Sequence, residues 1–137
     1  MKHFGIALVL AWTVAAQGQE TYKTRLSPVP IDAQLAPTIT GHGSISAVLA
    51  GAKLTVTGSF EGMRSAATVA RLYQSKMTGV PGAAIHDLFV SKAMSGSLSG
   101  SVDLTAAEVD ALRKGLLYVV VHSQGAPDGN LRGWLLK

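Results

Sequence analysis

Gly115-Leu116-Leu117-Tyr118-Val119-Val120-Val121-His122-Ser123, followed after a Gly125-Ala126-Pro127-Asp128-Gly129 turn by Asn130-Leu131-Arg132-Gly133-Trp134, is the stretch that decides the fold. Its first segment is an apolar run rich in valine that stops abruptly on a histidine. β-Branched and aromatic residues favour extended backbone. An apolar run without polar alternation marks a strand buried on both faces. The turn supplies proline and glycine, each with a backbone angle that turns require. Two paired strands follow from this. The first is expected to be central, with His122 at its end.

Immediately upstream, Thr105-Ala106-Ala107-Glu108 has the form of a capping box, in which Thr105 caps a helix and Glu108 reaches back to it. Val109 and Leu112 share one face of this short helix, predicted over about residues 105–114, and Gly115 suits its C-terminal stop. The remaining segments read as strands. Ser44–Leu49 and Lys53–Phe60 form a hairpin about an Ala50-Gly51-Ala52 turn. Leu54, Val56 and Phe60 point one way and Thr55, Thr57 and Ser59 the other, the period of a half-buried strand. Ala66–Tyr73 alternates in the same manner, with Val69, Arg71 and Tyr73 on one face. Ile85–Val90 and Ser95–Leu104 follow. Thr21–Leu26 is expected as an edge strand, ended by Ser27-Pro28-Val29-Pro30 and a loop over 27–40, because proline cannot donate to a ladder.

The chain has 137 residues, 47% hydrophobic and 15% charged, with 15 glycines and no cysteine. That is one small domain, and its many short glycine-bounded segments favour an all-β architecture. The absence of cysteine excludes a disulfide scaffold, a thiolate metal site and a cysteine lipid anchor. Met1-Lys2-His3, the apolar Phe4–Ala16 and the small residues Val14-Ala15-Ala16 have the three parts of a secretory signal peptide. The run is too short for a spanning helix, which needs about 20 apolar residues. The expected division is a leader over 1–16 and a domain over 17–137 that works secreted or in the periplasm. Without Lys2 the charge is +3, from 11 Lys and Arg against 8 Asp and Glu. These cations are scattered along the sequence, whereas nucleic-acid binders cluster them, so no nucleic-acid partner is expected.

The order Leu-Tyr-Val-x-Val-His, a Pro/Gly turn and Gly-x-Leu-Arg-Gly resembles the closing segment of the CHRD domain, the repeat named after chordin. The likeness extends to Gly96–Thr105 with the helix after it and, more loosely, to Gly41–Met63, covering about Thr21 to Leu136. It implies an antiparallel, Greek-key-like β-sandwich of about seven or eight strands with one short helix. It also implies protein partners. Members of that family typically carry Ala-Ala-His-Ile-His-Gly where this chain has Val69-Ala70-Arg71-Leu72-Tyr73-Gln74, so Arg71 and Tyr73 stand in place of two histidines. Leu117–Gly129 also resembles the last copper-ligand segment of copper–zinc superoxide dismutase. Of such a ligand set this chain keeps His122, and an arginine, always protonated, cannot ligate a metal. No cofactor and no bound metal are expected.

His42, His86 and His122 are the remaining histidines, and no His-x-His pair places two ligands on one strand face. The residues singled out are His122, Arg71, Tyr73 and Arg132, a polar corner able to take an anion or carboxylate through a guanidinium fork. The alternative for His122 is a hydrogen bond to a backbone carbonyl or to Tyr73. For Arg132 the alternative is closure of the fold on loop carbonyls. No Gly-x-Ser-x-Gly elbow, phosphate loop or calcium ligand set is present. The function expected is therefore non-enzymatic: an extracytoplasmic binding or accessory module contacting another protein, at a surface or along a sheet edge. The rivals are a degenerate dismutase-like metal or redox protein, which requires His42, His86 and His122 to converge, and a small extracytoplasmic subunit of a membrane complex. Membrane association is expected only if the N-terminal segment is retained.

Overall fold

The computed structural model describes residues 19–29, 37 and 39–137. The expected leader lies outside the described residues, as do positions 30–36 and 38 of the loop expected over 27–40. In chain order the elements are β1 (Gln19–Pro28), β2 (His42–Ala50), β3 (Lys53–Glu61), β4 (Ala67–Gln74), β5 (Ala83–Val90), β6 (Gly96–Asp103), α1 (Ala106–Arg113), β7 (Leu117–Ser123) and β8 (Leu131–Trp134). Among the described residues, eight antiparallel strands with one short helix agree with the sequence reading. The sandwich does not. The strands close into a barrel in the order β1-β2-β3-β6-β5-β4-β7-β8.

Two strands bring about this closure. β1 runs past the expected edge strand, pairing with β2 from Gln19 to Leu26 and with β8 through Ser27 and Pro28. β5 pairs with β4 from Ala83 to Leu88 and with β6 through Phe89 and Val90. Each is handed from one neighbour to another within its own length, so the two halves that would be separate sheets share their corner strands. Alternating side chains are the same in a sandwich and in a barrel, and only the handover distinguishes them. Closure also removes the free edges, so the expectation that a partner strand could add to a sheet edge is set aside. Pro28 is accommodated because it lies at the end of β1, where the ladder stops.

The period-two pattern of each strand becomes the inside and outside of the barrel. Tyr22 and Leu26, Ile45 and Leu49, Leu54, Val56 and Phe60, Ala70 and Leu72, Leu88 and Val90, and Leu98 fill the interior. β7 is buried at every position. Leu117, Val119 and Val121 face the core, while Tyr118, Val120 and His122 lie outside beneath neighbouring side chains and loops. Gly133 of β8 is required by the close approach of β1: a Cβ there would stand 2.7 Å from the Arg25 carbonyl oxygen.

α1 plugs one end of the barrel through Ala111 and Leu112. Its capping box forms as expected, with the Glu108 amide donating to Thr105 Oγ1 (3.1 Å) and the Thr105 amide to Glu108 Oε1 (3.0 Å). Gly115, at φ +75°, ends it. The Gly115 amide reaches the Leu112 carbonyl and the Leu116 amide the Ala111 carbonyl, the pairing expected of a left-handed C-terminal stop. At the same end Arg113 donates to Glu20 (2.7 Å) and the Tyr22 hydroxyl to Glu20 Oε1 (2.8 Å). These bonds, Arg113 first and Tyr22 second, hold the Glu20 carboxyl down from 4.5 to about 2. Burial, helped by Glu20, pushes the Tyr22 hydroxyl up to about 12.

Candidate functional site

Side chains on the outside of β4, β7 and β8 are set by register. Val69 faces His122, Arg71 faces Val120, and Tyr73 faces Tyr118. On the far side of β7, Arg132 faces Val120 and Trp134 faces Tyr118. Three of the four residues expected to form a polar corner therefore meet. The Tyr73 ring leans along the sheet to put its hydroxyl 2.7 Å from His122 Nε2. Arg71, two residues before Tyr73, shares its face. Arg132 is separated from them by Val120 and lies 5.9 Å over the Trp134 ring.

The bonding of His122 fixes its tautomer. Nδ1 is 2.8 Å from the Pro127 carbonyl oxygen, which can only accept. The proton is therefore on Nδ1, and Nε2 accepts from the Tyr73 hydroxyl. With 7% of its surface exposed, the imidazole is a clasp fastening the 124–130 turn to β4. Both alternatives foreseen for a structural His122, a carbonyl partner and Tyr73, occur together.

Arg71 Nε donates to Asp87 Oδ1 at 3.0 Å across β5. The Asp87 carboxylate first, and then the Tyr73 hydroxyl, make the guanidinium still harder to deprotonate. This pair is open to solvent and adds little stability on its own. An aromatic row continues the face. Tyr73 stacks on Tyr118 with centroids 5.2 Å apart, and Tyr118 meets Trp134 at 4.4 Å. The Tyr118 hydroxyl accepts from the Gly82 amide at 2.6 Å. This row lay outside the sequence reading, since Tyr118 and Trp134 come together only once the register is known.

Arg132 closes nothing on loop carbonyls among the described contacts. That task falls to Asn130 and Ser123, both fully buried. Ser123 Oγ donates to Asn130 Oδ1 (2.8 Å), and Asn130 Nδ2 donates to the Thr40 carbonyl (2.9 Å). The Gly-Asn-Leu-Arg-Gly motif thus joins a buried loop clasp, an outward arginine and a glycine that lets β1 approach.

The three histidines occupy separate places. His42 meets Glu61 at one end of the barrel (3.0 Å), His86 meets Glu108 of α1 at the other (3.1 Å), and His122 is held by Tyr73 and Pro127. The metal reading required them to converge, and they do not. Among the described residues no three His, Asp or Glu side chains gather as a metal set. Burial is the largest influence on Glu108 and pushes its carboxyl up. The Thr105 amide and His86 outweigh it, and the carboxyl ends below its ordinary value.

A further feature lies on β5. Phe89 points outward and is 69% exposed. It borders an open groove of about 360 Å³ lined also by Val69, Arg71, Asp87 and Lys92. Comparison with curated proteins and with solved structures returned no match. The CHRD domain family model matches residues 24–135, a span that runs from within β1 to the residue after β8, and the chain belongs to the CHRD domain family.

Proposed function

We propose that this protein is a non-enzymatic extracytoplasmic module that holds another protein against the outer face of β4 and β5. Phe89 carries the reading. An aromatic ring left in water on a rigid strand costs solvation that a partner recovers on covering it. Aromatic residues and arginine are the types enriched at the buried centres of interfaces and among their dominant contacts. Phe89 stands beside Arg71, and Val69 adds an apolar floor. Family membership supports the same reading, since CHRD domains are small extracellular-type domains not known as enzymes.

The test is native mass spectrometry of the protein isolated from its source, before and after Phe89→Ser. A partner at fixed stoichiometry should be present on the native chain and bind about 30-fold more weakly to the variant, the equivalent of a dominant contact worth about 2 kcal/mol. Retention of the partner by the variant at unchanged affinity refutes this face. A chain that runs free of any partner refutes the function.

A further inference from the structure

We propose that the opposite side of the barrel, the outer face of β1 with its neighbours β2 and β8, binds an acidic polysaccharide through carboxylate groups carried along the sugar chain. β1 and β5 lie at opposite points of the closed strand order, so this surface is independent of the Phe89 face. Cations that are scattered in the sequence are gathered here by register. Alternation on β1 sends Tyr22 and Leu26 inward and exposes Lys23 and Arg25. Arg25 faces Ser44 and Lys23 faces Ser46 on β2. On the other flank Ser27 faces Arg132, which brings a third cation to the strip.

Two open hollows meet along this strand. One, of about 580 Å³, is lined by Lys23, Arg25, Ser44, Ser46, Thr57 and Ser59. The other, of about 430 Å³, is lined by Arg25, Arg132 and Trp134 among others. Arg25 borders both, so together they make a long shallow path that suits a chain better than a compact small molecule.

The chemistry of the path identifies the occupant. Lys23, Arg25 and Arg132 form no ion pair among the described residues. The outward positions of β1 and β2 hold no acid. Among the described residues Glu61 is paired with His42 and Glu20 with Arg113 and Lys137, while Asp103 lies opposite Lys53 in the ladder. The partner must therefore be anionic. A guanidinium fork matches a carboxylate through two parallel bonds, and Arg132 lying on Trp134 is pre-oriented for this. The ground between the cations is serine and threonine hydroxyl, which hydrogen-bonds sugar hydroxyls and offers nothing to a lipid tail. Lys23 and Arg25 sit about 7 Å apart along the extended strand, close enough for one oligosaccharide to meet both.

The test is binding of the purified protein to polygalacturonate, read by calorimetry and by Trp134 fluorescence, with three comparisons: fully methyl-esterified polygalacturonate, phosphatidylglycerol vesicles and duplex DNA. Polygalacturonate should bind, weaken with salt, and outcompete all three. Lys23→Gln/Arg25→Gln should lower its affinity about tenfold, with a shallower salt dependence. Arg132→Gln should abolish the Trp134 response, and Phe89→Ser should change nothing. Failure to bind, equal binding of the uncharged ester, indifference to the Lys23/Arg25 double variant, or preference for vesicles or DNA would each overturn the proposal.

Discussion

Tyr73→Phe isolates the hydroxyl that fastens His122. The substitution keeps the ring, and with it the stack on Tyr118 at 5.2 Å, so packing is preserved. What is lost is the 2.7 Å bond to Nε2. Because Nδ1–H remains committed to Pro127, the imidazole cannot turn over to find another donor without giving up that bond. Nε2 becomes a nearly dry, unmatched acceptor in a structure where no buried side-chain polar atom among the described residues lacks a partner. Leaving such a group unpaired costs about 1–3 kcal/mol. The expected value is near the middle of that range, about 2 kcal/mol. For a domain of this size 1 kcal/mol moves Tm by about 4 °C, so Tm should fall by about 8 °C. Urea unfolding followed by circular dichroism gives the free energy, and nitrogen-15 NMR of the histidine gives the tautomer. Stability within about 0.3 kcal/mol of the native protein, or a native imidazole protonated on Nε2, would refute the clasp.

Gly133→Ala places a methyl 2.7 Å from the Arg25 carbonyl and 2.8 Å from Thr24 Cγ2; since backbone cannot yield cheaply, it should cost about 1–3 kcal/mol and raise amide exchange along β1 and β8. Thr105→Ala removes the helix cap and should cost about 1 kcal/mol in urea unfolding. Glu20 titrates at its ordinary 4.5 when unfolded and about 2 when folded. Its contribution to stability is therefore complete above pH 4.5 and lost as pH falls through 2; Glu20→Gln should flatten the curve of urea midpoint against pH in that window. Tyr22, raised to about 12, acts at the other extreme: its share is complete below pH 10 and lost as pH rises through 12, and Tyr22→Phe should remove that alkaline slope.

Local rules carried the sequence reading a long way. The Leu117–Val121 run could only be a buried strand, Thr105 and Glu108 could only be a cap, and the alternation in β3, and in β4 from Val69 onward, sorted the two faces; before Val69 a register shift puts Ala67 rather than Thr68 in the core. Tyr73 was legible as a partner for His122 because the family pattern aligned it there. Closure was not legible. It depends on β1 and β5 changing neighbours partway along, β1 passing from β2 to β8 between Leu26 and Ser27. The Arg132–Trp134 stack, the aromatic row and the gathering of Lys23 and Arg25 with Arg132 were hidden for a related reason. Each joins strands distant in sequence, and a one-residue slip in register would have sent those side chains to the other face. Asn130 and Ser123 were not singled out, because nothing local announces that an amide beside a turn will be buried against Thr40.

The last link in the ring has a consequence for how the chain reaches its folded state. β8 follows everything else in the sequence, yet it completes the barrel by pairing with the first strand, and Lys137 meets Glu20 across 117 residues. Contacts of such separation are made late and slowly, because the entropy of closing a long loop is spent before the contact is gained. A nascent chain lacking its last dozen residues has β1 without one neighbour and β7 without another, so it cannot settle early. The ring therefore stays open until β8 is available to meet β1.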